Sequence, residues 1–136
     1  MPLLDAQKWD ERYRLEDAPA GKEPLPFLQE VLPLLSPGAA LDLAAGAGRN
    51  AVYLAEHSWD VTAIDCSQEA LGRAMALGAE RRVPARRMTW DAGLFASGRT
   101  PRGPGLLLLE ADLEQVILPQ ARWDVVLCFY YLDRRL

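Results

Sequence analysis

Leu41-Asp42-Leu43-Ala44-Ala45-Gly46-Ala47-Gly48-Arg49-Asn50 is the stretch on which the reading of this chain turns. Ahead of it the turn Ser36-Pro37-Gly38 leads into Ala39 to Leu43, a short apolar run of strand character. Behind it Ala51, Leu54 and Ala55 keep helical spacing, which predicts a helix from about Asn50 to His57. A loop of small residues thus separates strand from helix, where an open α/β sheet places its ligand crevice. Gly46 and Gly48 let the backbone turn sharply and come close to a ligand. The free amides that open the next helix can face carboxylate or hydroxyl oxygens.

Moving outward, Val61-Thr62-Ala63-Ile64 reads as a strand that ends at Asp65. Ser67 is an N-cap for a helix carrying Ala70, Leu71, Ala74, Met75 and Leu77. Residues 91–105 are rich in glycine and proline and read as a loop. Leu106 to Leu109 is the next strand, ending near Glu110-Ala111-Asp112, and Val125 to Leu132 is the longest apolar strand. Upstream, Trp9 and Tyr13 lie four apart on a short helix over 5–13. A loop marked by Gly21, Pro24 and Pro26 follows. Leu28, Val31, Leu32 and Leu35 then make a buried helix face that Pro33 should kink or end.

From residue 39 the order is strand, helix, strand, helix, strand, strand, with apolar runs too continuous for a half-exposed sheet. The expected fold class is α/β, a Rossmann-like three-layer sandwich around a mostly parallel sheet.

The chain has 136 residues, half of them hydrophobic and a quarter charged, which fits one ordinary globular domain. A net charge of −4 gives no footprint for nucleic acid. The cluster Arg81, Arg82, Arg86 and Arg87 reads as a solvated basic loop. The first residues lack a signal-peptide pattern, and no apolar stretch reaches the ~18 residues of a membrane span. Cys66 and Cys128 are far apart, outside any metal-ligand spacing, and read as reduced, buried thiols of a cytoplasmic protein. The single His57 cannot anchor a histidine-rich metal site and reads as a helix-end residue.

Two acids frame the loop. Asp65 ends the next strand 19 residues after Gly46, a position suited to a carboxylate that accepts from both ribose hydroxyls. Gly46-x-Gly48-x-x-Ala51 formally satisfies the dinucleotide fingerprint, so a nicotinamide cofactor has to be weighed. Asp42, four residues before Gly46, opposes it, because an acid beside a pyrophosphate is unfavourable. Each acid also has a plainer reading. Asp42 can accept bonds from loop amides, Asp65 can be a helix-start acid and Asp112 a turn acid. Trp9 and Tyr13 read as core contacts, and Phe129-Tyr130-Tyr131 as core strand as readily as substrate wall.

Residues 41–50 resemble the first motif of class I S-adenosylmethionine-dependent methyltransferases, an acid followed by a Gly-x-Gly loop. Gly48-Arg49-Asn50-Ala51-Val52-Tyr53-Leu54-Ala55 is similar to the small bacterial tellurite-resistance and thiopurine-type subgroup. Trp9-Asp10-Glu11-Arg12-Tyr13 resembles its N-terminal lid, and Val61-Thr62-Ala63-Ile64-Asp65 its second motif. Ala111-Asp112-Leu113 resembles the acid-containing turn beside the adenine, and Trp123 to Leu132 the fourth strand, whose end faces the methyl group.

The resemblance implies S-adenosyl-L-methionine as cofactor, for whose ammonium and sulfonium Asp42 is an asset. Gly46 and Gly48 would line its methionine and ribose part, with Asp42 at the amino end. Asp65, with the adjoining Cys66, would hold the ribose, and Asp112 and Leu113 would define the adenine pocket. Cys128, Phe129 and Tyr130 would lie near the transferable methyl. The acceptor would be a small molecule; a thiol or reduced chalcogen would need no base, and no catalytic base is identified. The expected organisation is one partial domain over 1–136, with a lid over 1–25 and a cofactor-binding core over 26–136.

Two departures from the family pattern carry expectations. Ala44 stands where the motif commonly has Gly, which is tolerated if its backbone stays at negative φ. The chain stops at Leu136, soon after the fourth strand. The fold is therefore expected to be incomplete in its C-terminal half, with 125–132 an apolar edge open to self-association. The competing functions are a non-catalytic cofactor-binding or interaction module and a fragment of an NAD-dependent oxidoreductase.

Overall fold

The computed structural model describes residues 3–15, 22–91, 105–119 and 122–129. Its elements run α1 (Leu3–Leu15), α2 (Pro26–Val31), β1 (Ala39–Leu43), α3 (Arg49–Glu56), β2 (Asp60–Asp65), α4 (Gln68–Glu80), β3 (Ala85–Thr89), β4 (Gly105–Glu110) and β5 (Val125–Leu127). The strands form one sheet in the order β3-β4-β2-β1-β5, and every pairing is parallel. Parallel strands buried on both faces need apolar residues at successive positions. That is why Leu106 to Leu109 in β4 are all buried. Leu106 and Leu108 serve one core, and Leu109 serves the other.

The two cores are built differently. The first is made with helices: Leu28 of α2, Ala51, Val52 and Leu54 of α3, and Leu71, Ala74 and Leu77 of α4 pack on Ala40, Val61, Ala63 and Leu108. Trp59, 2% exposed where the chain enters β2, is the largest of the fully buried side chains. On the opposite face Leu41, Ile64 and Leu109 are covered by Ala111, Leu113, Val116, Leu118, Trp90 and Trp123, with Ala6 of α1. Among the described residues that cover is mostly irregular chain.

Several local expectations meet a different outcome. Pro26 opens α2 at its first turn, where a missing N–H costs nothing, so the preceding loop ends earlier than expected. Pro33 does end the α-helix, and the chain tightens into a 3₁₀ turn over Leu32–Leu34. That change of pitch turns Leu35 outward, and it is 40% exposed instead of completing the buried face.

β3 has no counterpart in the sequence reading. It pairs only with β4, and Arg86 and Arg87 are exposed along it, so it carries no apolar run. Charged side chains on a sheet edge discourage pairing with other chains. The basic cluster is therefore partly strand: Arg87 donates to the Gln68 carbonyl at 3.2 Å, and Arg81 pairs with Glu56 and Glu23.

β5 is shorter than the expected 125–132, with Cys128 and Phe129 past its end. It lies at the other sheet edge with Val126 exposed. Residues 130–132 and the expected loop at 92–104 lie outside the described residues, as does the Tyr13 side chain.

Candidate functional site

In a parallel sheet all strands end on one side, and here the ends of β1, β2, β4 and β5 bring the marked residues together. Asp42 pairs in register with Ala63 on one side and Leu127 on the other, and Asp65 with Glu110. Past the strand ends the ladder continues. Ala45 N donates to the Ile64 carbonyl and Ala111 N to the Asp65 carbonyl, each at 3.0 Å. These bonds hold the 44–48 loop and the 111–113 turn on either side of the end of β2.

The loop is left-handed at every second residue. Ala44, Gly46 and Gly48 have φ of 55°, 60° and 83°. Ala44 therefore does not meet the condition of a negative φ under which it would sit there without strain. The loop must reverse between β1 and α3 within a few residues, and its bond to β2 fixes the turn at this position. An L-residue in this region is strained by about 1–2 kcal/mol, part of which glycine's extra chain entropy offsets. Ala44→Gly is accordingly expected to stabilise the fold by about 1 kcal/mol, read as a higher urea midpoint at unchanged slope.

Asp65 is 6% exposed and both of its oxygens are engaged. Oδ2 accepts from Gly46 N at 2.8 Å and Oδ1 from Ser67 N at 2.9 Å. Burial raises its pKa; the amides of Ser67, Gly46 and Cys66 oppose that rise, and the charge of Asp10 adds to it. The carboxylate fixes the loop against β2 through Gly46, and its bond from Ser67 N meets in part the plainer reading of Asp65 as a helix-start acid. Asp42 differs. It is 3% exposed, and its Oδ2 has no hydrogen-bond partner among the described residues. Burial, and after it the negative charge of Asp65, push its pKa up from 3.8 to about 7. Loop amides do not satisfy that oxygen.

Gly46 sits over this acid pair, its amide turned to Asp65. Gly48 serves packing: a Cβ there would stand 2.7 Å from the Ala74 Cβ of α4. Cys66 is buried, and burial followed by the Asp65 charge raises its thiol to about 12, so it stays protonated. Leu113 is buried in the second core with Cys66 and Ala111. Asp112 Oδ1 accepts from Glu114 N at 2.9 Å, the pattern of a side-chain-closed turn.

Cys128 follows the residue paired with Asp42, and it is exposed, which corrects the expectation of a buried thiol. Desolvation, then the Asp42 charge, raise its pKa. Phe129 packs onto Phe27 of α2, edge to face at 6.5 Å. Tyr130 lies outside the described residues. His57 closes α3 with its Nδ1 2.8 Å from the Tyr53 carbonyl, a helix-end contact as expected.

Two polar side chains, Asn50 and Asp10, make contacts that no sequence pattern marks. Buried Asn50 accepts from Leu25 N at 2.9 Å, tying the start of α2 to α3. Asp10 of α1 accepts from the Ser67 hydroxyl at 2.6 Å and from Glu69 N at 3.2 Å. Asn50 lies inside the quoted loop motif, but nothing local marks its partner 25 residues earlier. Ser67 does cap α4, accepting from Ala70 N at 3.1 Å. Among the described residues no three His, Cys, Asp or Glu side chains converge as metal ligands would. No helix among them is long and apolar enough to cross a membrane.

The sheet, the loop between β1 and α3 and the strand-end acids define a Rossmann-like α/β domain. Two solved structures share the fold. One, described under conversion of a disulfide bond into a thioacetal group during echinomycin biosynthesis, superposes with a TM-score of 0.54 at 23% identity, over 79% of this chain and 39% of that one. The PH0226 protein from Pyrococcus horikoshii OT3 gives a TM-score of 0.54 at 18% identity, over 85% and 46%. Residues 26–80 match the family model described as tellurite resistance protein TehB. Hemagglutinin 1 of Eikenella corrodens is 31% identical over 69 residues, which is 51% of this chain and 23% of that protein. The chain spans less than half the length of each of these three relatives.

Proposed function

We propose that this chain binds S-adenosyl-L-methionine and serves methyl transfer to a small-molecule acceptor. The observation that carries the reading is Asp42, a buried acid with an unpartnered oxygen beside a second buried acid. Such a pair is costly unless a cation neutralises it or a proton does. The cofactor's ammonium group supplies that cation, whereas a dinucleotide pyrophosphate would add to the negative charge.

When bound, the cofactor would supply a methyl carbon activated by sulfonium, open to in-line attack by an acceptor's lone pair with the neutral thioether as the leaving group. Asp42 holds the amino end. Asp65 offers its carboxylate to the ribose while keeping the Gly46 loop in place. The 111–113 turn, bonded to the end of β2, borders the adenine. Cys128 stands where β5 ends and marks the acceptor side. The chain then contributes alignment and exclusion of water, and a thiol or reduced chalcogen acceptor needs no base from it. Cys66 and Cys128 are not joined in a disulfide, which suits the reducing cytoplasm.

Isothermal titration with S-adenosylhomocysteine, with NAD as control, tests this reading. Saturable binding is expected for the homocysteine compound alone, weakened at least tenfold in Asp65→Ala, since charge-assisted bonds of this kind are worth about 1.5–3 kcal/mol. Equal binding of NAD, or no binding by a chain that circular dichroism shows to be folded, overturns it.

A further inference from the structure

We infer that Asp10 is a positioning residue for the Asp65 site, latching α1 onto α4 through Ser67 so that the docking of α1 and the setting of the Gly46 loop form one unit. The chain of bonds is continuous. Asp10 Oδ1 accepts from Ser67 Oγ at 2.6 Å, Ser67 N donates to Asp65 Oδ1 at 2.9 Å, and Asp65 Oδ2 accepts from Gly46 N at 2.8 Å. Four residues from α1, the head of α4, the end of β2 and the β1–α3 loop are joined by three bonds.

Ser67 is the pivot. It is completely buried and its hydroxyl has a single proton. That proton goes to Asp10, in a bond as short as charge-assisted O–H···O⁻ bonds are. The direction of the bond turns a lone pair of Oγ toward Ala70 N, which it caps. Asp10 also accepts from Glu69 N, so two of the open donors at the head of α4 are satisfied, one by Ser67 and one from a different helix. Removing the Asp10 carboxylate strands the Ser67 proton in a buried place. The nearest way to satisfy it is to turn the hydroxyl, and the backbone that carries the Asp65 contact moves with it.

Arg14 also pairs with Glu69 at 3.9 Å, but that pair is exposed at both ends and holds little. α1 packs directly on α4, and Asp10 is a polar anchor of that contact. Linkage then requires reciprocity. A ligand that engages Asp65 shifts the docking of α1 by the factor by which docked α1 shifts the affinity for that ligand. Only this ligand step rests on the function proposed above.

Amide hydrogen exchange in the ligand-free protein tests the latch without any cofactor. Asp10→Ala is expected to speed exchange at Ser67, Glu69 and Gly46 by roughly tenfold, with Leu108 in the central strand unchanged. Asp10→Asn keeps an acceptor oxygen in the same place and should stay within about twofold of the wild type. If Asp10→Ala does not fold, Asp10→Ser, too short to reach Ser67, is read in its place with the same expectation. Faster exchange at Glu69 with Gly46 unchanged would reduce Asp10 to a helix cap and overturn the inference. A rise that includes Leu108 equally would overturn it too, as a general loss of stability.

Titration with S-adenosylhomocysteine adds the second arm: Asp10→Ala should weaken binding by the same rough factor of ten, and Asp10→Asn should restore it. If the wild type does not bind, the proposed function fails while the exchange result still decides the latch. Unchanged affinity in a binding-competent Asp10→Ala protein would overturn the coupling.

Discussion

Gly48→Ala is expected to destabilise the fold by about 3 kcal/mol, the sum of a left-handed backbone and an overpacked contact, each roughly 1–2 kcal/mol. The residue sits at φ +83°, where a side chain is strained whatever room it has. There is also no room: the new Cβ would meet the Ala74 Cβ at 2.7 Å and its Cα at 3.2 Å. Ala74 is part of α4 and fully buried, so the relief available is to push α3 and α4 apart, and both carry the first core. Urea unfolding of Gly48→Ala, Ala74→Gly and the double variant separates the two causes. The double variant should regain the packing part of the loss and keep the backbone part. A Gly48→Ala protein within about 0.5 kcal/mol of the wild type would show that α3 and α4 do not approach each other in this way.

Asp42→Asn should remove most of the acid-side dependence of stability on pH. The sign follows from proton counts. With the folded pKa at about 7 and the ordinary value at 3.8, the folded state holds more proton than the unfolded state between those values. Stability conferred by the protonated form is therefore complete below about pH 4 and falls as pH rises toward 7. At one pKa unit per 1.36 kcal/mol, the full loss is on the order of 4 kcal/mol above pH 7. Asp65, raised in the same direction, adds to it with the same sign.

The asparagine variant should be more stable than the wild type at pH 8 and nearly equal to it at pH 4. A cation held by Asp42 reverses the balance, because it favours the ionised acid. Binding of S-adenosylhomocysteine should therefore release a proton below pH 7 and tighten as pH rises through that value. Titration in two buffers of different ionisation enthalpy reads the proton directly. A flat stability profile from pH 4 to 8 in the wild type would sink the buried-acid account.

Much of this was readable in the chain. The β1–α3–β2–α4 segment announced itself through Leu41, Ile64 and Leu71 at the right spacings and through Ser67 at its cap, because local pattern and packing agree there. The loop was placed correctly between strand and helix, and the two acids were picked out by position. What stayed hidden depends on contacts distant in sequence or on conformation. β3 escaped because an edge strand needs only one good face, and Ala85-Arg86-Arg87-Met88-Thr89 has apolar residues only at its first and fourth positions. Ala44 looks like any alanine, and its left-handed φ follows from the bond that Ala45 makes to Ile64. Asp65 and Asp42 read alike as strand-end acids; only the structure shows one with both oxygens occupied and the other with an oxygen left over. The Asp10–Ser67 bond spans 57 residues and no spacing rule reaches that far.

The placement of β5 at the sheet edge also sets an order of events for the folding chain. Ala39 pairs with Asp60 across 21 residues, whereas Ala40 pairs with Val125 across 85. Closing the longer loop costs about 1 kcal/mol more in chain entropy, before any contact repays it. The hydrophobic contacts of α3 and α4 are already available to the shorter one. Residues 39–80 are therefore expected to form first, with β5 joining late. It is fastened when Asp124 exchanges bonds with Ala39, its amide donating to the Ala39 carbonyl at 2.8 Å and its Oδ2 accepting from Ala39 N at 2.9 Å. A substitution at Asp124 should then quicken unfolding and leave the folding rate almost untouched, whereas one at Leu54 should slow folding itself.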